Sequence, residues 1–252
     1  MYISDQGIQL SFELEKPEGA ENCPLVILLH GFGSAKNRTH TILSAEAMRS
    51  AGFATIRADL YGHGESGGTF REHTIRKWKD NILALMDYAQ SLDFVTGVWL
   101  SGHSQGGLAA ALAAGDVPER TGGLILRAPA FMIPRCAREG NLLGFTFDPD
   151  HIPEHIRIAE GVELDGEYLR AAQQTNVEEA IGRYRGPVLI LHGDEDDTVP
   201  CGDSRRAAEQ YADCELEIIA GETHHFDRYP EKMTGKIREF CLRKAASAAG
   251  TR

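Results

Sequence analysis

The stretch Trp99-Leu-Ser-Gly-His-Ser104-Gln-Gly-Gly-Leu-Ala-Ala-Ala-Leu-Ala-Ala-Gly115 sets a serine between glycines, with an apolar run before it and an alanine-rich run after it. Read as strand, turn and helix, it places Ser104 at the turn. Gly102-His103-Ser104-Gln105-Gly106 then has the pattern of a nucleophile elbow, in which a serine is held on a sharp bend at the end of a strand. The glycines have a physical reason: neighbours without a Cβ let the chains on either side come close. The following helix would aim its first amides and the positive end of its dipole at developing negative charge. So short a pattern also occurs in turns without chemistry. The rest of the chain must supply a base, an acid and an oxyanion site.

Further runs have strand character. "IQLSFELEKP", from Ile8, alternates apolar and polar residues, as a half-exposed strand near a sheet edge does. "PLVILLHGFG", from Pro24, is a continuous β-branched and leucine run ending in glycines, the mark of a strand covered on both faces. Similar runs return in "GFATIRADLYGHGES", "GGLILRAPA" and "GPVLILHGDEDD". Between them lie helical periodicities. "HTIRKWKDNILALMDYAQSL" puts Ile75, Trp78, Ile82, Leu85 and Tyr88 on one face. "PEKMTGKIREFCLRK" offers Pro230 for a first helical turn. Strands alternating with helices predict an α/β fold, a mostly parallel central sheet with helices on both faces. From about Met132 to Arg185 no strand-like run is visible, only apolar clusters and one helical pattern, "GEYLRAAQQTNVEEAI". So long a break reads as a functional insertion, a cap over the strand ends. The expected organisation is one domain over 1–252 with this cap insertion at 132–185.

Open parallel sheets bind ligands at the carboxyl ends of their strands. There the chain carries His30-Gly31-Phe32, Asp59, Ser104, Asp196 and, after the last run "CELEIIAG", His224. The glycine before Phe32 lets the Phe32 amide turn toward Ser104, where with the Gln105 amide it makes a two-donor oxyanion hole. His192-Gly-Asp194-Glu-Asp196-Asp197 offers several carboxylates. Asp194 follows the glycine and shapes the turn, Asp197 faces solvent, and Asp196 is the choice for the acid. His224 and His225 both follow the last strand, and either could be the base. The order serine, acid, histidine is the one this kind of fold uses.

These stretches together resemble the α/β-hydrolases and, over nearly the whole length, the bacterial cinnamoyl or feruloyl esterases. The matching segments are "MYISDQGIQL", "CPLVILLHGF", "RADLYGHGES", "LDFVTGVWLSGHSQGG", "LLGFTFDP" and "VLILHGDEDDTVP". The resemblance implies Ser104 as nucleophile, Asp196 of the D-x-x-V-P pattern as acid and His224 as base. It implies the amides of Phe32 and Gln105 as oxyanion donors. The implied function is serine carboxylic ester hydrolysis through an acyl-enzyme, best on hydroxycinnamate esters, with no metal and no cofactor. The same residues would serve a short-chain carboxylesterase, a monoacylglycerol lipase-like enzyme, a peptidase-like serine hydrolase or a ligand-binding relative without catalysis.

Composition agrees with a small-molecule ester as the partner. A formal net charge of −11 lacks the basic footprint that nucleic acid or an anionic membrane surface requires. No stretch is apolar enough to span a bilayer, and the N-terminus has no secretory pattern. Five scattered cysteines without a C-x-x-C pair fit reduced thiols, so a cytoplasmic location is expected, compatible with a homodimer.

Overall fold

Alternation along the run after Pro24 shows why it is apolar on every residue. The strand Cys23–Leu29 sends Leu25, Ile27 and Leu29 into one core layer and Val26 and Leu28 into the other. Both faces of the sheet are covered, so no position can afford a polar side chain. The first layer packs under Trp78, Ile82, Leu85 and Leu108; the second packs against Met48, Met233, Ile237 and Phe240.

The computed structural model describes residues 1–159 and 161–249; the parts of the expected domain and insertion at 160 and 250–252 lie outside the described residues. In chain order the elements begin β1 (Tyr2–Asp5), β2 (Ile8–Glu15), β3 (Cys23–Leu29), α1 (Thr39–Ser50), β4 (Ala54–Ala58) and α2 (Ile75–Gln90). They continue with β5 (Val95–His103), α3 (Gln105–Asp116), β6 (Thr121–Arg127), α4 (Ile133–Glu139), β7 (Asn141–Leu142) and β8 (Phe145–Thr146). The rest are β9 (His155–Ala159), β10 (Val162–Asp165), α5 (Glu167–Gln173), α6 (Val177–Arg183), β11 (Pro187–Gly193), α7 (Cys201–Gln210), β12 (Asp213–Ile219) and α8 (Pro230–Ala249).

The eight-stranded sheet runs β1-β2-β4-β3-β5-β6-β11-β12. β1 and β2 pair antiparallel, as do β2 and β4; every other pair is parallel. The chain leaves β3 toward β4 on one side and returns to β5 on the other. A crevice therefore opens past the carboxyl ends of β3 and β5, the position such sheets use for ligands. Leu29 pairs with Gly102 there, which brings Gly31-Phe32 beside Ser104.

The structure bears out two readings and corrects two. The run at Ile8 lies near the sheet edge, one strand in from β1; Leu10, Ser11 and Phe12 are buried, while Tyr2 of β1 is exposed. Tyr88 shares the α2 face of Ile75, Trp78, Ile82 and Leu85, half-buried and packed against the same core. The 132–185 segment does contain strands, in two antiparallel hairpins, β7–β8 and β9–β10. Pairs this short and exposed leave too few residues for alternation to show. Its single helical pattern is two helices, because Asn176 stops to cap the second: its side chain accepts from the Glu179 amide at 3.1 Å. Among the described residues no helix is long and apolar enough to cross a membrane.

Candidate active site

Ser104 has φ 55° and ψ −123°, a region that costs a non-glycine residue on the order of 1–3 kcal/mol. The surroundings over-determine it. Its amide donates to the Arg127 carbonyl at 2.9 Å, and its carbonyl accepts from Gly107, Leu108 and Ala130 at 2.9, 3.2 and 3.0 Å. The glycines of the motif are there for close approach. A Cβ on Gly102 would lie 2.2 Å from the Gly106 carbonyl oxygen, and one on Gly106 would lie 2.3 Å from that of His30. Both obstacles are backbone, so neither yields. Gly106→Ala is expected to leave little soluble folded protein, while Gly97→Ala, which meets nothing within 4 Å, should express normally; equal yields and melting temperatures for the two would contradict this.

A cavity of about 590 Å³ opens at the serine, lined among others by Phe32, Leu43, Ser104, Leu143, His224 and His225. Gly31 sits at its floor, where a Cβ would lie 3.1 Å from that of Ser104. Gln105 is the first residue of α3, so its amide is one of the helix's unclaimed donors. Among the described residues the Phe32 amide donates to no carbonyl. Both amides are thus free for an oxygen bound at Ser104. The Gln105 side chain is tied elsewhere: its Oε1 accepts from the Tyr168 hydroxyl at 2.7 Å, which links α5 to the elbow.

His224 follows β12 in a loop built around the buried Glu222. That carboxylate accepts from the amides of Thr223, Arg228 and Tyr229 at 2.8, 3.2 and 2.8 Å. His224 is buried; its Nδ1 lies 2.7 Å from Asp196 Oδ2, and its carbonyl accepts from His103 Nε2 at 2.8 Å. The structure therefore brings His224 to Asp196, as the resemblance implies, and leaves His225 exposed on the cavity wall. Asp194 accepts from the Gly221 amide at 2.6 Å and shapes the turn, and Asp197 is exposed. Burial acts to raise the Asp196 carboxyl. Hydrogen bonds from His192, His224 and the Val199 amide outweigh it and hold the group well below the usual carboxylate range. His30 is structural: its ring bridges the Gly31 carbonyl at 2.8 Å and the Leu60 amide at 3.0 Å. Asp59 is paired with the buried Lys36 at 2.6 Å.

Several participants have no signal in the sequence. Arg127 was legible only as the end of a strand, yet it is fully buried with no carboxylate partner among the described residues. Its Nη1 donates to His40 Nδ1, the His40 carbonyl and Ser44 Oγ at 3.0, 3.1 and 3.1 Å, and burial lowers its pKa to about 9. His103 lies between His40 and His224, its ring tilted to both, with ring centroids 4.4 and 4.7 Å away. Among the described residues no group of three His, Cys, Asp or Glu side chains is arranged to hold a metal ion.

This sheet, with a strained serine at the end of β5 and a histidine–carboxylate pair beyond β11 and β12, is that of the α/β-hydrolases. Residues 20–147, just over half of the chain, match the family model described as serine aminopeptidase, S33, and the chain belongs to that family. Among solved structures it is similar to Est1E from Butyrivibrio proteoclasticus in complex with ferulic acid, at 45% identity and a TM-score of 0.96, covering 98% of this chain and 99% of that one. A second structure of Est1E matches at 43% identity and a TM-score of 0.92, with 98% of both chains covered. Among curated relatives, human palmitoyl-protein thioesterase ABHD10, mitochondrial, is 28% identical over 207 residues, 78% of this chain and 64% of that protein. The chain thus spans about two thirds of the length of that relative.

Proposed function

We propose that this chain hydrolyses carboxylic esters of the feruloyl type through an acyl-enzyme on Ser104. The observation that carries the reading is the cavity lined by both the strained Ser104 and His224, whose Nδ1 is paired with Asp196. The likeness to Est1E, whose complex holds ferulic acid, supports the substrate class, since that acid is what hydrolysis of a feruloyl ester releases. His224 accepts the proton of Ser104 as the oxygen attacks the ester carbonyl. Asp196 keeps the imidazole in the Nδ1–H tautomer and stabilises the imidazolium. The Phe32 and Gln105 amides take the oxyanion; one such donor is typically worth about 2.7–4 kcal/mol of barrier. His224 then gives its proton to the departing alcohol, and a water it activates releases the acid.

The insertion at 132–185 is the cap in this reading. It supplies Leu143 to the cavity wall and, through Tyr168, a hydrogen bond onto the elbow. The test is a panel of methyl ferulate, p-nitrophenyl acetate, a monoacylglycerol and an aminoacyl amide on purified protein. The highest kcat/KM is expected for methyl ferulate. A preference for the monoacylglycerol or the amide would overturn the substrate class, and failure of a fluorophosphonate to label the protein would overturn catalysis itself.

The acid is tested by comparing three carboxylates. Asp196→Asn should lower kcat by roughly 10⁴-fold, as a wrongly held tautomer does elsewhere. Asp194→Asn and Asp197→Asn, at a turn and in solvent, should stay within about tenfold of the parent. The opposite ranking would move the acid to a neighbour.

A further inference from the structure

The carboxylate of Asp196 touches two histidines. Its Oδ2 lies 2.7 Å from His224 Nδ1 and 3.1 Å from His192 Nε2, and neither the His192 nor the Asp196 side chain is exposed at all. His192 Nε2 is also 3.0 Å from the Val199 carbonyl. A carbonyl only accepts, so the proton is on Nε2, hydrogen-bonded to that oxygen and facing the carboxylate at 3.1 Å. Nδ1 faces Ser204 Oγ at 2.7 Å. Among the described residues that hydroxyl has no other side-chain hydrogen bond, so its proton goes to Nδ1. Ser204 itself is fully buried in the first turn of α7. The other oxygen of Asp196, Oδ1, accepts from the Thr198 and Val199 amides at 2.9 and 2.8 Å. Four donors therefore converge on one carboxylate, and two of them stand on the oxygen that meets His224.

We propose that His192, held in its Nε2–H tautomer by the Val199 carbonyl and braced by the Ser204 hydroxyl donating to its Nδ1, is a positioning residue for Asp196. It rests on the reading of Asp196 as the acid. Two consequences follow from the geometry. The carboxylate is held at the rotation that points Oδ2 at His224 Nδ1. Its charge is also shared between two donors, so it grips a protonated His224 less strongly than a carboxylate with one partner would. Without His192 the base would hold its proton more tightly, and the acid limb of the pH profile would move upward. The other titratable and charged groups near the pair are known. Cys201 and Arg205 approach from α7 and Asp194 from the same loop; His103 and His225 face His224, and His40 of α1 acts on it electrostatically. The Cys201 thiol is pushed up by burial and carries no charge in the range of the test. All of these are unchanged by the variants below.

The experiment uses the full chain and methyl ferulate, with kcat, KM and the pH dependence of kcat/KM measured for His192→Leu, His192→Gln and Ser204→Ala. Supporting hydrogen bonds one layer out from a reacting group are typically worth roughly 10–100-fold, and that loss in kcat is expected for His192→Leu with KM within about twofold. Its acid limb should shift to higher pH. His192→Gln restores an N–H donor and should recover most of kcat and of the limb's position; Ser204→Ala should show the same changes as His192→Leu, smaller. An unmoved limb and parental kcat in a folded His192→Leu would overturn the proposal, as would a folded His192→Gln no better than the leucine variant. Should His192→Leu fail to fold, Ser204→Ala decides: lowered kcat with a shifted limb supports the proposal, and a parental profile overturns it. Asp196→Asn, run alongside, separates the two readings. If it is as active as the parent, the acid assignment and this proposal fall together; if it is inactive while His192→Leu is parental, only this proposal falls.

Discussion

Ser104→Ala should lower kcat for ester hydrolysis by about a million-fold, as loss of a nucleophile does in other serine hydrolases, and leave the melting temperature unchanged. The second half of this expectation is as specific as the first. The Ser104 side chain makes no capping hydrogen bond to α3, and the strain at φ 55° belongs to any residue with a Cβ. Alanine adds no strain and removes no bond that the fold uses. The four backbone hydrogen bonds that hold the turn, through Arg127, Gly107, Leu108 and Ala130, are independent of the side chain. Measurement of turnover, fluorophosphonate labelling and thermal unfolding on the same preparation checks all three. More than trace turnover in a clean preparation would remove Ser104 as the nucleophile. Loss of turnover with a lowered melting temperature would show that the hydroxyl has a structural role the geometry does not reveal.

What could be read from the chain, and what could not, divides along a physical line. β3 was legible because both its faces are buried, which forbids polar residues at any register. The edge that carries Ser104, the Asp194–Asp197 carboxylates and the His224–His225 pair was legible because a parallel sheet gathers the ends of its strands on one side, whereas the choice of Asp196 and His224 within it leaned on the family resemblance. The 132–185 segment has no such frame. Its hairpins β7–β8 and β9–β10 are short and largely exposed, and the break at Gln174-Thr175-Asn176 depends on a cap that a run of helix formers conceals. The supporting polar residues were hidden for a further reason. His192, Glu222 and Arg127 look like ordinary residues within or beside apolar runs. What distinguishes them is which atom faces which, and that emerges only when β11 meets α7, when the loop after β12 closes, and when β6 passes beneath α1.

His224→Ala should be comparable in effect to loss of the serine, about a million-fold in kcat, whereas His225→Ala should keep kcat and change KM at most. The two neighbours differ in every respect that matters to a base. His224 is buried, its Nδ1 is 2.7 Å from the carboxylate, and its carbonyl is held by His103. His225 is exposed and, among the described residues, makes no hydrogen bond or ion pair with Asp196. The pH dependence follows with its sign. An imidazole accepts a proton from the serine only when neutral, so kcat/KM rises with pH as the base loses its proton. Although burial acts to raise it, the Asp196 carboxyl is held low by the donors around it, so it stays ionised across that rise. The limb should therefore report a single ionisation. His225→Ala should retain this limb, and the residual activity of His224→Ala should lack it. An active His224→Ala beside an inactive His225→Ala would transfer the role of base to His225. Loss in both, with folding and labelling intact, would mean that His225, whose ring lies 5.3 Å from that of His224, holds the base in place from the cavity side.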